Sequence, residues 1–335
     1  MKNTLASFGL AFSLVGAPLS AMAADIEIRI AHGSSPEFHM HKAMEKFASI
    51  VEERSEQRID VTIFPSGQVA ADTGMVEAVL AGSVEMAVEP PSFFAKWDPA
   101  FEVAELPFIY PNKDVAFKVL NSEAGDALME RLADLDLTGL GWMEMGQRVL
   151  TNNARSITSP EDMKGIKLRT MKVPTHIAAF EALGANPTPM NFGEVYAGLQ
   201  VNVIDGQENP ISQIYTQKFY EVQKYMTLSN HVLGLYLPVI NKEFFDDLSD
   251  DDQQLLRDAM AEAIAYDFTL IEKVNKEYLK DIEDHGVEVT RLTDEQHKKF
   301  VDEVAPAREK FKDRVGSDIY DLWMNKIAEF SSENS

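Results

Sequence analysis

The sequence predicts an α/β fold divided into two lobes and bridged by one long helix. Segments of period-two alternation and segments of helical amphipathic spacing follow one another along the 335-residue chain. A chain of that length is expected to split into lobes rather than bury one core. Residues 250–285 run without proline or glycine, and a continuous helix there would be about 54 Å long. A lobe of ~150 residues is only about 40 Å across, so such a helix bridges two lobes or joins a coiled coil. Its apolar stripe (residues 255, 256, 259, 260, 263, 264, 268, 271, 274, 278, 282) is too broad for a coiled-coil seam.

Taken in order, Lys2, the apolar run "LASFGLAFSLVGAPL" and Ala21-Met22-Ala23 form the pattern of an export signal over residues 1–23. Gly9, Gly16 and Pro18 disfavour a buried helix there. No later run of about 18 apolar residues follows, and the chain has no cysteine for a disulfide or a lipid. A soluble periplasmic protein is expected. "IEIRIAH" reads as a strand, and "PEFHMHKAMEKFASIVEERSE" as a helix with Met40, Met44, Phe47, Ile50 and Val51 on one face. "IDVTIF" is a second strand, stopped by Pro65-Ser66-Gly67. A helix near 72–81, the strand "VEMAV" and the Pro90-Pro91 break come next. Helices near 113–121 and 123–134 and the strand "LTGLGWMEM" complete this part.

A second unit begins near Gln147, where "RVLT" reads as extended. Ser159 and Pro160 suit an N-cap and first helical position, and Gly165 ends that turn before a strand that carries Arg169. A helix at 174–184, a strand at 187–190, a helix from Asn191 or Phe192 to Gln200 and a tight turn at Asp205-Gly206 follow. The long helix, 249–286, opens on Ser249 and three acids and closes at Gly286, with Lys276 and Lys280 shortly before. The expected first lobe is 24–147, with roughly 235–265 returning to it. The second is 148–234, with roughly 270–335.

With 54 acids against 31 bases the formal net charge is −23, which argues against nucleic acid and anionic lipid as partners. An anion site must then be local and sheltered, since charges beyond about 8 Å are screened at physiological salt. The chain has no HExxH, G-x-S-x-G, P-loop or G-x-G-x-x-G pattern. His39 and His41 of "FHMHK" point about 200° apart on a helix, poor geometry for one metal, and are expected at the solvent or a pocket rim. "DLSDDDQQ" lacks the glycine and glutamate of a calcium loop. Neither metal nor cofactor is expected, and no carboxylate spacing selects an acid–base pair. Arg148 and Arg169 stand out because each lies at an end of an extended segment. Ligands of open α/β sheets gather at strand ends, where two guanidiniums can grip one carboxylate by forked hydrogen bonds. The competing reading makes each a surface ion-pair partner contributing about 0–1 kcal/mol.

"GQRVLTN", "SPEDMKGIKLRT", "GANPTPMNFGEVYAGLQVNVIDGQENP" and "QKFYEVQKY" resemble the substrate-binding proteins of tripartite ATP-independent periplasmic (TRAP) transporters, the DctP-type receptors. "FPSGQVAADTGMVEAVLAGSVEMAV" and "ELPFIY" resemble the same family's first lobe, so the likeness covers nearly the whole chain after the signal. The resemblance implies a two-lobed periplasmic-binding-protein-like fold with a long helix across both lobes, and a cleft closing on an organic anion. It implies that Arg169 grips the ligand carboxylate, Arg148 adds a second cation, Asn209 completes the shell and Phe192 packs on the ligand. Glu89, His32 and Asp72 occupy places suited to reading the rest of the ligand. Without an evident second arginine pair, a polyhydroxylated or otherwise substituted acid is favoured over a plain dicarboxylate, and a sugar acid, a uronate or a C4-dicarboxylate is the expected cargo. The implied partners are a small carboxylate and the membrane subunits of a sodium-coupled TRAP permease, with a monomer favoured over a dimer. The alternatives are an exported enzyme acting on an organic acid and a receptor for a sensor kinase.

Overall fold

The computed structural model describes residues 25–333; the export signal expected at 1–23 lies outside them. Its strands are β1 (Ile26–Ala31), β2 (Ile59–Phe64), β3 (Met86–Glu89), β4 (Leu137–Gly139), β5 (Met143–Asn152), β6 (Lys167–Thr170), β7 (Asn186–Pro189), β8 (Gly206–Pro210), β9 (Tyr225–Asn241) and β10 (Glu288–Arg291). They pair in the order β2-β1-β3-β9-β5-β8-β6-β7, with β4 and β10 also on β9.

One strand belongs to both lobes. Over Tyr225–Tyr236, β9 pairs with β5, and from Leu237 onward it pairs with β3 and β4. The β5–β9 ladder slips register twice, between Glu144 and Gly146 and between Arg148 and Leu150. Each slip locally re-aims the strand, and together they bracket Arg148. At the first, Gly146 (φ +119°) lies opposite Gly234. A Cβ on Gly234 would sit 3.1 Å from the Gly146 carbonyl oxygen, so the backbones approach there as only glycine allows.

The long helix spans Asp250–Asp284, capped by the Ser249 hydroxyl, which accepts from the Asp252 amide at 3.2 Å. Leu256, Ala259, Met260 and Ala263 pack into a first-lobe cluster with Ile28, Phe47, Met86 and Ile240. Ile282, farther along the same helix, joins Val149, Val195, Phe219 and Met226 of the second lobe. The helix therefore spans both lobes.

Three expectations needed correction. "LTGLGWMEM" and "RVLT" are not separated at Gln147, because Met143–Asn152 is one strand that bulges past Gly146 instead of ending. "GQENP", given no element of its own beyond the tight turn at Asp205-Gly206, is the strand β8, with all five residues buried. Its polar side chains hid it, since they are satisfied by β5 and by one another: Gln207 donates to Thr151 Oγ1 at 2.9 Å and Asn209 donates to Gln207 at 2.6 Å. Finally, the C-terminal helix Ser317–Ser332, assigned above to the second lobe, packs against the first-lobe helices Lys113–Leu120 and Glu123–Glu130. Trp323 donates to the Tyr110 hydroxyl at 2.7 Å and Lys326 pairs with Glu123 at 2.6 Å.

The β5–β8 contact leaves no room at Gly206, where a Cβ would fall 2.2 Å from the Thr151 carbonyl oxygen. Gly206→Ala should cost about 1–3 kcal/mol through overpacking, seen as a lower urea midpoint. An unchanged midpoint would mean that β8 is not clamped as described.

Candidate functional site

Between the lobes lies a pocket with about 410 Å³ of free space, open solvent at its mouth included. The first lobe supplies Ser34 after β1, Asp72 before the helix Thr73–Leu80, Glu89 at the end of β3, and Phe93 beyond it. The second lobe supplies Arg169 from β6, Phe192, Asn209 from β8 and Gln213, while the crossing strands add Met145, Arg148 and Tyr236. Six of the seven residues expected at the site thus meet in one cavity: Arg169, Arg148, Asn209, Phe192, Glu89 and Asp72.

The two arginines have different surroundings. Arg148, fully enclosed, forms a fork with Glu208: Nε to Oε2 at 2.5 Å and Nη2 to Oε1 at 2.8 Å, with Nη2 also donating to the Glu208 carbonyl at 2.8 Å. His231 Nε2 lies 3.0 Å from the same carboxylate and its Nδ1 2.8 Å from Ser229 Oγ. Burial alone would raise the Glu208 pKa, but Arg148 and His231 outweigh it and hold this carboxyl far below its ordinary range. Arg148 is therefore neutralised from within, and its Nη1 meets only the Met145 sulfur at 3.4 Å.

Arg169 is equally buried and has no such partner. Its Nε and Nη2 donate to the Met190 carbonyl at 3.0 and 2.8 Å, and Nη1 has no partner among the described residues. Burial lowers its pKa to about 10, against the attraction of Glu208 and Asp72, so it stays protonated at neutral pH. The Phe192 ring covers it, 5.9 Å from the guanidinium carbon. The surface ion-pair reading of both arginines is thereby excluded: one has a buried partner and the other has none.

Facing the arginines are Glu89 and Asp72. Burial first, and then the Asp72 charge, push Glu89 well above the ordinary carboxyl range. Asp72 is itself raised by burial, partly offset by the Phe192 amide and Arg169. Asp72 (φ +48°) accepts from the Phe192 amide at 3.2 Å, a hydrogen bond from one lobe to the other.

His32 departs from expectation. It is fully buried outside the pocket lining, with Nε2 2.9 Å from His41 Nδ1, and burial drives its pKa down to about 3. Nor do His39 and His41 line a solvent rim. Both are buried, and His39 bridges Asp267 of the long helix (2.7 Å) to the Met145 carbonyl of β5 (3.3 Å). Sequence reasoning also missed Ser34, Gln213 and Tyr236. Gln213 Nε2 donates to Ser34 Oγ at 2.8 Å and to the Tyr236 hydroxyl at 2.9 Å, and those two hydroxyls meet at 2.7 Å. Only the closeness of β1, β9 and the helix Ile211–Thr216 reveals them, and no local motif does. Among the described residues no group of three or more His, Asp or Glu is placed to hold a metal ion.

The family model described as bacterial extracellular solute-binding protein, family 7, matches residues 30–314. The chain is 31% identical over 327 residues to the 2,3-diketo-L-gulonate-binding periplasmic protein YiaO of Escherichia coli K12, covering 98% of this chain and 96% of that one. It is 34% identical over 303 residues to the C4-dicarboxylate-binding periplasmic protein DctP of Rhodobacter capsulatus, covering 89% and 90%. The crystal structure of the sugar acid binding protein DctPAm of Advenella mimigardefordensis, in complex with galactonate, aligns with a TM-score of 0.88 at 34% identity. That alignment covers 90% of this chain and 98% of the other.

The Arg148–Glu208 pair yields a stability test. Glu208→Gln leaves a buried guanidinium without its counter-ion and should cost about 3–5 kcal/mol in chemical denaturation. Adding Arg148→Met to Glu208→Leu should recover most of that loss, because both charges then leave together. A single variant as stable as the parent would refute the internal neutralisation.

Proposed function

Because the chain belongs to the bacterial extracellular solute-binding proteins of family 7, we propose that it is a periplasmic receptor. It captures a small organic acid between its lobes and delivers it to the membrane subunits of a TRAP-type secondary transporter. The observation that carries this reading is Arg169: a buried guanidinium in the pocket wall whose Nη1 meets no hydrogen-bond partner among the described residues. A ligand carboxylate supplies the missing partner through a short, charge-assisted hydrogen bond. Arg148, held rigid by Glu208, offers its Nη1 beside it as a donor. Asn209 completes the carboxylate's shell, and Phe192 keeps water away.

Export through the signal at 1–23 fits the periplasmic relatives. A sugar acid, a uronate or a C4-dicarboxylate is the class of cargo that their ligands suggest. The pocket draws its walls from both lobes, so a ligand that fills it favours the closed arrangement and shifts the population toward it. The bond from the Phe192 amide to Asp72 joins the two lobes across the pocket and adds to the stability of that arrangement. Binding without turnover suits the chemistry: Ser34, the hydroxyl nearest a nucleophile in the lining, is bonded to Tyr236 and Gln213 and not to a base.

Arg169→Lys replaces a planar fork with a point charge. Calorimetry should show affinity falling by about 2–5 kcal/mol, roughly 30- to 5,000-fold, with melting little changed. Unaltered affinity together with a lowered melting temperature would assign Arg169 a structural role and sink the reading.

A further inference from the structure

Four polar atoms in the pocket wall are buried and have no hydrogen-bond partner among the described residues: Arg169 Nη1, Asp72 Oδ2, Glu89 Oε1 and Gln213 Oε1. Buried polar groups are nearly always hydrogen-bonded, so this set is a negative image of the cargo. It contains one cationic donor and three oxygens.

The oxygens can be assigned individually. Gln213 is oriented by its neighbours. The Ser34–Tyr236 bond already uses one of the two hydroxyl protons, so the amide cannot accept from both. Its Nε2 therefore donates to them, and Oε1 is an acceptor only. Asp72 is a carboxylate whose Oδ1 is occupied by the Phe192 amide, leaving Oδ2 to accept. Glu89 is 3% exposed, and burial, then the Asp72 charge, raise its pKa and so favour its neutral form. It can then give a proton to a ligand oxygen or accept one at its carbonyl oxygen.

A second carboxylate on this side would meet the Asp72 carboxyl and one amide oxygen, and the residues lining this pocket include no cation besides the two arginines. An ammonium would satisfy Asp72 and Gln213, but it suits Glu89 only as the ionised carboxylate, the form that burial disfavours. A hydroxyl both donates and accepts, so a row of hydroxyls satisfies all three.

We infer that Glu89, Asp72 and Gln213 form a hydroxyl-reading wall, so that the pocket selects acids with one carboxylate and a polyhydroxylated body over acids with a second carboxylate. The inference rests on the proposed seating of a carboxylate at Arg169.

Calorimetry of the full chain after export, against a ladder of acids, tests it. Galactonate and glucuronate carry one carboxylate and several hydroxyls. Galactarate keeps the four secondary hydroxyls of galactonate and has a carboxylate in place of its primary alcohol, succinate has two carboxylates and no hydroxyl, and glutamate has two carboxylates and an ammonium. The better of the first two should bind at least about 100-fold tighter than any of the last three. In Asp72→Asn with Glu89→Gln, which removes the charge but keeps the acceptor for Phe192, the gap to galactarate should shrink. Succinate, galactarate or glutamate matching the hydroxylated monoacids in the parent would overturn the inference. If Arg169→Lys still abolishes that binding, the carboxylate seat stands and only the wall is misread. If no acid on the ladder binds, the receptor reading fails with it.

Discussion

A buried charge left without a counter-ion is the constraint around which this structure is arranged. The chain carries 54 acids to 31 bases, so acids to pair with are plentiful. Yet of the two guanidiniums enclosed in the pocket wall, only Arg148 has taken one. Removing a cation from water costs several kcal/mol unless hydrogen bonds and an opposite charge compensate. For Arg169 the Met190 carbonyl satisfies two of the three nitrogens and supplies no charge. Pairing Arg148 with Glu208 makes that tolerable. Two free guanidiniums side by side would repel one another, whereas a neutralised fork is a rigid donor that adds no second charge.

The fold sets this arrangement through elements that ignore the boundary between lobes. β5 and β9 run through both, and the slips on either side of Arg148 place its side chain toward β8 and the pocket. The long helix adds a third link. Asp267 on it holds His39, and His39 reaches the Met145 carbonyl in β5, one residue from the Gly146–Gly234 contact. Continuous strands and one helix permit bending at defined points and little else, so closure can be accurate to the tolerance that a forked hydrogen bond demands.

How much of this was legible in the sequence depends on whether the signal was local. The strand–helix alternation, the Ser249 cap and the uninterrupted run after it were plain, because periodicity and capping are properties of neighbours. Arg169 was visible as a cation on a strand, although its lack of an acid was not. Glu208 was missed as the partner of Arg148 because only the antiparallel β5–β8 register brings residues 60 positions apart together. β8 went unseen for a related reason: it is buried and polar, and hydrophobic patterning registers only apolar burial. His32 failed in the opposite sense. Its place after β1 suggested the pocket, but His41 from the following helix captures its ring.

Overall charge and local grip act on different steps. A net charge of −23 disfavours the approach of any anion, but screening confines that penalty to about a Debye length. The grip operates after closure, where water is excluded and a contact charge dominates. Had a carboxylate of the chain itself paired with Arg169, the lobes could close with nothing between them, and the closed shape would carry no information. In the receptor proposed above, leaving the guanidinium unmatched makes closure conditional on an acid from outside. The same atom that supplies affinity then also makes the closed form a report of occupancy, which is what a membrane partner that recognises the closed form would need.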